Sequence, residues 1–167
     1  FGKVFTDAKL HDIPSTVARS VMRLEKAGAD MITVHAFGGV EMMKAAGTAA
    51  RRAKILGVTV LTSKSIVNKK EFLRLVSDIK KAKLDGIVCS AHELKYLKNS
   101  KLLKVVPGIR PKWYDEKDDQ LRKATPQEAI KLGADLLVIG RPIVRSKDPV
   151  EVVNTLIYGN IKVEKKK

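Results

Sequence analysis

A single cysteine, Cys89, occurs in 167 residues, so no internal disulfide framework can form, and a reducing compartment, by default the cytoplasm, is expected. Aromatic side chains are almost as scarce. Four Phe, three Tyr and one Trp leave no interleaved basic and aromatic platform on which bases could stack. No stretch approaches the roughly 18 consecutive apolar residues of a membrane span, and no signal peptide opens the chain, so a soluble protein with no membrane partner is expected. Acids are outnumbered, 18 against 33 Lys and Arg, and the resulting charge of +15 raises nucleic acid as a partner. The lysines are nevertheless spread along the chain, mostly on polar faces of helical segments. Nucleic acid is therefore not the expected partner, and the basic surface suits an anionic phosphate substrate instead.

What is present is a regular alternation of short apolar runs with longer amphipathic ones, the pattern of β/α units on a parallel sheet. Strands are expected at Lys3 to Thr6, Met31 to Val34, Val58 to Leu61, Gly86 to Val88, Leu103 to Val106 and Leu136 to Ile139. Between them, Lys69 to Lys83 places Phe72, Leu75, Val76 and Ile79 on one helical face. Thr125-Pro126-Gln127-Glu128 and Asp148-Pro149-Val150-Glu151 each offer a cap, a proline in the first turn and a glutamate at the third position, and Gly133 suits the end of the first of these helices. Residues 1–161 read as a single domain and 162–167 as a lysine-rich tail that frays.

Polar residues recur at the C-terminal ends of the expected strands: Asp7 and Lys9, His35, Thr62 and Ser63, Ser90, Pro107 to Arg110, and Gly140 with Arg141. Useful chemistry after every strand favours a TIM (β/α)8 barrel over an open sheet, which binds at one crevice. Only six units are found where a closed barrel has eight, so the first two β/α units are expected to be missing from this chain.

The densest chemistry lies near the start, in Asp7-Ala8-Lys9-Leu10-His11-Asp12-Ile13-Pro14-Ser15-Thr16. Residues two apart in an extended strand point the same way, so Asp7 and Lys9 are expected to project together, with Asp12 in the loop beyond. An acid, lysine, acid set suits proton transfer without a metal, the carboxylates aiming an ammonium at a carbon on which negative charge develops. A solvated salt bridge is the plainer reading of those positions alone. The plainer readings elsewhere are a buried core thiol at Cys89, a packed strand-end His35, a loop His11, a helix cap at Ser90 and a turn at Gly38-Gly39.

The run Asp-x-Lys-x-x-Asp-Ile-Pro-x-Thr resembles the active-site signature of the orotidine 5'-phosphate decarboxylase family. The resemblance continues through Val34-His35-Ala36-Phe37-Gly38-Gly39, Val60-Leu61-Thr62-Ser63, Asp85 to Ala91, Pro107-Gly108-Ile109-Arg110-Pro111, Asp119-Gln120-Leu121-Arg122 with Thr125-Pro126, and Val138-Ile139-Gly140-Arg141-Pro142. It implies conversion of orotidine 5'-phosphate to uridine 5'-phosphate in pyrimidine synthesis, with neither metal nor organic cofactor. By the same resemblance Lys9 is the proton donor to C6, Asp7 lies against the substrate carboxylate, and Asp12 and Thr16 reach the neighbouring subunit's site across a homodimer. Thr62 and Ser63 read the base, Pro107 is a further substrate-binding residue, and Arg110, Gln120, Gly140 and Arg141 hold the phosphate under a lid of residues 111–119 around Trp113 and Tyr114. The family also places an aspartate after its first strand and a lysine after its second, and this chain has neither strand, so it is not expected to turn over alone. Two other readings compete. One is a magnesium-dependent sugar-phosphate decarboxylase or aldolase of the same barrel superfamily, which shares the first six positions; the other is a basic, non-catalytic nucleic-acid-binding module.

Overall fold

The computed structural model describes residues 2–61, 68–114 and 122–159. In chain order its elements are β1 (Phe5–Leu10), α1 (Pro14–Lys26), β2 (Met31–His35), α2 (Gly39–Ala49), β3 (Lys54–Val58), α3 (Lys69–Lys81), β4 (Gly86–Val88), β5 (Leu103–Val106), α4 (Pro126–Lys131), β6 (Leu136–Leu137), α5 (Arg141–Val144) and α6 (Pro149–Asn154). All strand pairs are parallel, and the sheet order β1-β2-β3-β4-β5-β6 follows the sequence. Consecutive strands that are also neighbours are what a winding barrel requires. The fold is α/β of the TIM-barrel type, with six of the eight units expected of a closed barrel. Among the described residues β1 and β6 each have a single strand neighbour.

Strand alternation divides the core in two. One face carries Ile32, Val34, Ile55 and Ile87 into the large cluster formed with Val17 and Val21 of α1, Met42 and Met43 of α2 and Phe72, Leu75 and Ile79 of α3. The other holds a smaller layer of Leu56, Val58, Val88 and Val105, against which Phe5, Met31, Leu103 and Val138 pack while only partly buried. The apolar face of α3 is the one the sequence periodicity predicts, and the helix is opened by Asn68, whose side chain accepts from the N–H groups of Lys70 and Glu71. At the far end of α1 the buried Glu25 carboxylate accepts the N–H groups of Arg51, Arg52 and Ala53, at 3.0, 2.6 and 2.6 Å. These backbone donors, Ala53 foremost, lower its pKa and tie α1 to the turn before β3.

Three strands depart from their expected bounds by more than one residue, and β2 runs one residue further, to His35. β1 runs Phe5–Leu10 where Lys3 to Thr6 was expected, so Asp7 and Lys9 lie within the strand. β3 is Lys54–Val58, four residues earlier than the Val58 to Leu61 expected from its β-branched residues. Pairing decides: Met31↔Lys54 through His35↔Val58 keep β3 in register with β2, and the chain beyond Val58 is already turning. β6 is confined to Leu136–Leu137, leaving Val138 and Ile139 past its end. The capped starts of α4 and α6 are as expected: the Thr125 hydroxyl accepts from Glu128 N–H, and Asp148 Oδ1 from Glu151 N–H. The expected tail from Lys162 lies outside the described residues. No described helix is long and apolar enough to cross a membrane.

Candidate active site

The first site residues are brought together by an irregularity in β1. Thr6 pairs with Ile32 and Leu10 with Val34, so Asp7, Ala8 and Lys9 stand opposite Thr33 alone. The surplus residues bulge outward, and Lys9 takes a left-handed backbone, φ 47°. Its ammonium lies 2.5 Å from Asp7 Oδ2. The expected partnership of Asp7 and Lys9 thus has a different cause from the one read in the sequence: it is made by the bulge and not by the two-residue period of a regular strand.

Thr33, fully buried, sits beneath the bulge. Its Oγ1 accepts the Lys9 N–H at 2.8 Å and lies 2.9 Å from Asp7 Oδ1, to which its hydroxyl donates. Nothing local in the sequence marks it, beyond a polar residue at a strand position that alternation turns away from Ile32 and Val34.

Asp7 and Lys9 line a cavity of about 350 Å³ at the C-terminal ends of the strands. β5 and the turn after it supply Pro107, Gly108 and Arg110; the turn after β6 supplies Val138, Gly140 and Arg141; Val60, Leu61 and Cys89 complete much of the wall. No atom lies within 4 Å of where a Cβ on Gly140 would stand, so packing does not demand glycine there and the space is open to a ligand. Arg110 is buried, donates through Nη1 to Ile109 O at 2.9 Å and holds its guanidinium 5.6 Å from the Tyr114 ring centroid. Its N–H bonds Ala124 O, and Ala124 N–H bonds Gly108 O, joining the chain before and after the expected lid. Trp113 is half exposed and meets Tyr114 edge-on. Residues 115–119 of the expected lid, Gln120 just past it, and the expected base readers Thr62 and Ser63 lie outside the described residues.

Asp12 and Thr16 are not in this cavity. Asp12 is exposed, accepts the N–H of Ile13 at 2.6 Å and borders a separate surface depression with His11, Pro14 and Phe37. Thr16 Oγ1 accepts from Arg19 at 3.2 Å. His35 packs between the rings of His11 and Phe37, at 5.5 and 5.4 Å. Burial, reinforced by the nearby Glu93 carboxylate, pushes the Cys89 thiol far up from its ordinary pKa, so it stays protonated at neutral pH and is no nucleophile.

A second polar cluster, unnoticed in the sequence, lies behind the wall. Arg122 and Glu93 form an ion pair with both side chains buried. The Arg122 guanidinium also donates to Ser90 Oγ at 3.1 Å, Val60 O at 3.1 Å and Leu61 O at 2.9 Å. Glu93 in turn accepts the Ser90 N–H at 2.9 Å, which makes Ser90 the cap of the turn that follows β4. One arginine therefore fastens the chain ends after β3 and β4 to the segment that follows residues 115–121. Among the described residues no three of His, Cys, Asp and Glu come together as a metal-ligand set.

Residues 1–156 match the model of the orotidine 5'-phosphate decarboxylase / HUMPS family. The chain is 41% identical to the orotidine 5'-phosphate decarboxylase of Lactococcus lactis subsp. cremoris, covering 92% of this chain and 73% of that protein. Against the enzyme of that name from Streptococcus pneumoniae the identity is 42%, over 92% and 72%. Among solved structures, the orotidine 5'-phosphate decarboxylase of Lactobacillus acidophilus superposes with a TM-score of 0.78 at 33% identity, over 93% of this chain and 74% of that one.

Proposed function

Because the chain belongs to the orotidine 5'-phosphate decarboxylase / HUMPS family of lyases, we propose that it decarboxylates orotidine 5'-phosphate to uridine 5'-phosphate, with Lys9 delivering the proton to C6 of the pyrimidine. The observation that carries this reading is the Lys9–Asp7 pair in one cavity with Arg110, Gly140 and Arg141. A nucleotide has the matching polarity: a reacting ring at one end and a phosphate dianion at the other.

In this scheme the bond from C6 to the carboxylate breaks, carbon dioxide leaves, and the electron pair stays on C6. The Lys9 ammonium, aimed by Asp7, stabilises that charge and then transfers a proton to it. The guanidinium groups of Arg110 and Arg141 hold the phosphate, their planar forks matching its oxygens, and Gly140 lets the backbone approach. Binding at the phosphate end organises the reacting end, which is how an enzyme without a cofactor lowers a large barrier. Pro107 shapes the wall, Thr62 and Ser63 read the base, and Gln120, just past the lid, joins the phosphate. Asp12 and Thr16, exposed or half-exposed and outside this chain's cavity, serve the neighbouring site of a homodimer. Cytoplasm is the compartment proposed.

The test follows loss of orotate absorbance in chelator, with the full-length protein beside its Lys9→Ala variant. Turnover by the first and a loss of roughly 10²- to 10⁴-fold in the second, the usual contribution of a positioned proton donor, is the expected result. A folded full-length protein that is silent on orotidine 5'-phosphate, yet active on a sugar phosphate with magnesium, would overturn the assignment.

A further inference from the structure

We infer that Thr33 is a positioning residue for the reaction, holding Lys9 in its left-handed backbone through one buried hydroxyl; this rests on the decarboxylase reading for its kinetic consequence, though not for its geometry.

Three observations meet at this side chain. Lys9 is a non-glycine residue at φ 47°, a conformation that is strained for an L-residue and persists only where its surroundings enforce it. The β1–β2 ladder is interrupted where Lys9 stands, so the strand pairing that would ordinarily fix the backbone is missing there. The Thr33 hydroxyl occupies the gap, accepting the Lys9 N–H and donating to the Asp7 carboxylate, at 2.8 and 2.9 Å.

A hydroxyl has one proton to give and lone pairs to receive, so both bonds can be made at once and in only this sense. The Lys9 backbone and the Asp7 carboxylate are thereby fixed to the same atom. The ammonium is tethered twice, covalently through its own backbone and through its 2.5 Å contact with Asp7, and both tethers end at Thr33 Oγ1. Thr33 is fully buried and does not line the cavity, so its effect on a substrate passes through its two partners.

Removing the hydroxyl at constant shape is the direct test. In the full-length protein, Thr33→Val leaves two polar groups without their partner, whereas Thr33→Ser keeps the oxygen and discards only a methyl. Steady-state decarboxylation and hydrogen exchange at the Lys9 amide are measured on both variants. Thr33→Val is expected to lower kcat, by up to the roughly 10²-fold that a misplacement of about 1 Å can cost, with KM and uridine 5'-phosphate binding barely changed. The Lys9 amide should exchange faster in the same variant, and Thr33→Ser should restore both. Faster exchange with kcat unchanged would make the bond merely structural and overturn the inference, as would unchanged exchange. A parallel fall in kcat, product binding and melting temperature would do the same. If the wild-type protein does not act on orotidine 5'-phosphate, the decarboxylase reading fails by itself, and the exchange rates still decide whether the hydroxyl holds Lys9.

Discussion

At the scale of single residues, the buried pair of Arg122 and Glu93 carries the largest consequence. Two charges out of water are tolerable because each is paired and further hydrogen-bonded, and removing one leaves the other uncompensated. Arg122→Met should therefore destabilise the fold by about 3–5 kcal/mol, measured by urea denaturation. The double variant Arg122→Met with Glu93→Leu should recover much of the loss. If the single variant is as stable as the parent, the pair holds nothing together. Such residues also show why part of the site was illegible in the sequence. Asp7 and Lys9 fall within one short run, so their partnership could be expected from spacing, although the bulge and not the strand period produces it. Thr33 meets Lys9 from 24 positions away, and Arg122 reaches Val60 across 62. Their importance is a property of the fold, visible only once β1 is laid beside β2 and the chain returns past the end of β3.

At the scale of elements, three helices end in the same way. After α1, α3 and α4, the second residue past the capping residue (Ala27, Ala82 and Leu132) returns its N–H to the last turn: Ala29 to Leu24, Leu84 to Ile79 and Ala134 to Ala129, at 3.0, 3.3 and 3.0 Å. The residue between must be left-handed, and it is Gly28 and Gly133 in two cases but Lys83, at φ 56°, in the third. Lys83→Gly should stabilise the protein by up to about 1 kcal/mol and raise its melting temperature by roughly 2–4 °C. A lower melting temperature would mean that the freedom glycine gains in the unfolded chain outweighs the relieved strain. Gly133 was readable as a helix stop because glycine advertises the conformation, whereas a lysine in the same role carries no sign. Strand bounds were misread for a related reason. Val58-Thr59-Val60-Leu61 has the composition of a strand, yet only Val58 belongs to one. Gly57, which weakens the case for the true β3, is there because a Cβ would come within 2.6 Å of the Ile79 side chain on α3. Packing between elements set that boundary, and composition alone could not.

At the scale of the whole molecule, the order of six parallel strands was legible from spacing, because β/α alternation leaves few ways to wind the chain. The charge of +15 was equally plain in composition, and the structure gives it a direction of use. Among the described residues Lys9, Arg110 and Arg141 line the cavity, and of the described acids only Asp7 does, so their field at the strand C-termini has the sign of the chain's net charge. A phosphate dianion is drawn toward such a mouth from beyond contact distance, but only while salt permits. The screening length falls from about 30 Å at 0.01 M ionic strength to about 8 Å at 0.15 M and 3 Å at 1 M. Salt should therefore lower kcat/KM steeply between the first two conditions and act mainly through KM. Once the substrate is bound its charges are in contact with their partners and are screened much less by the same ions, so kcat should change much less. Initial rates on orotidine 5'-phosphate across that range, with sodium chloride as the only variable, separate the two. If kcat/KM is flat, the positive surface does not steer the substrate and the cavity arginines act only on contact.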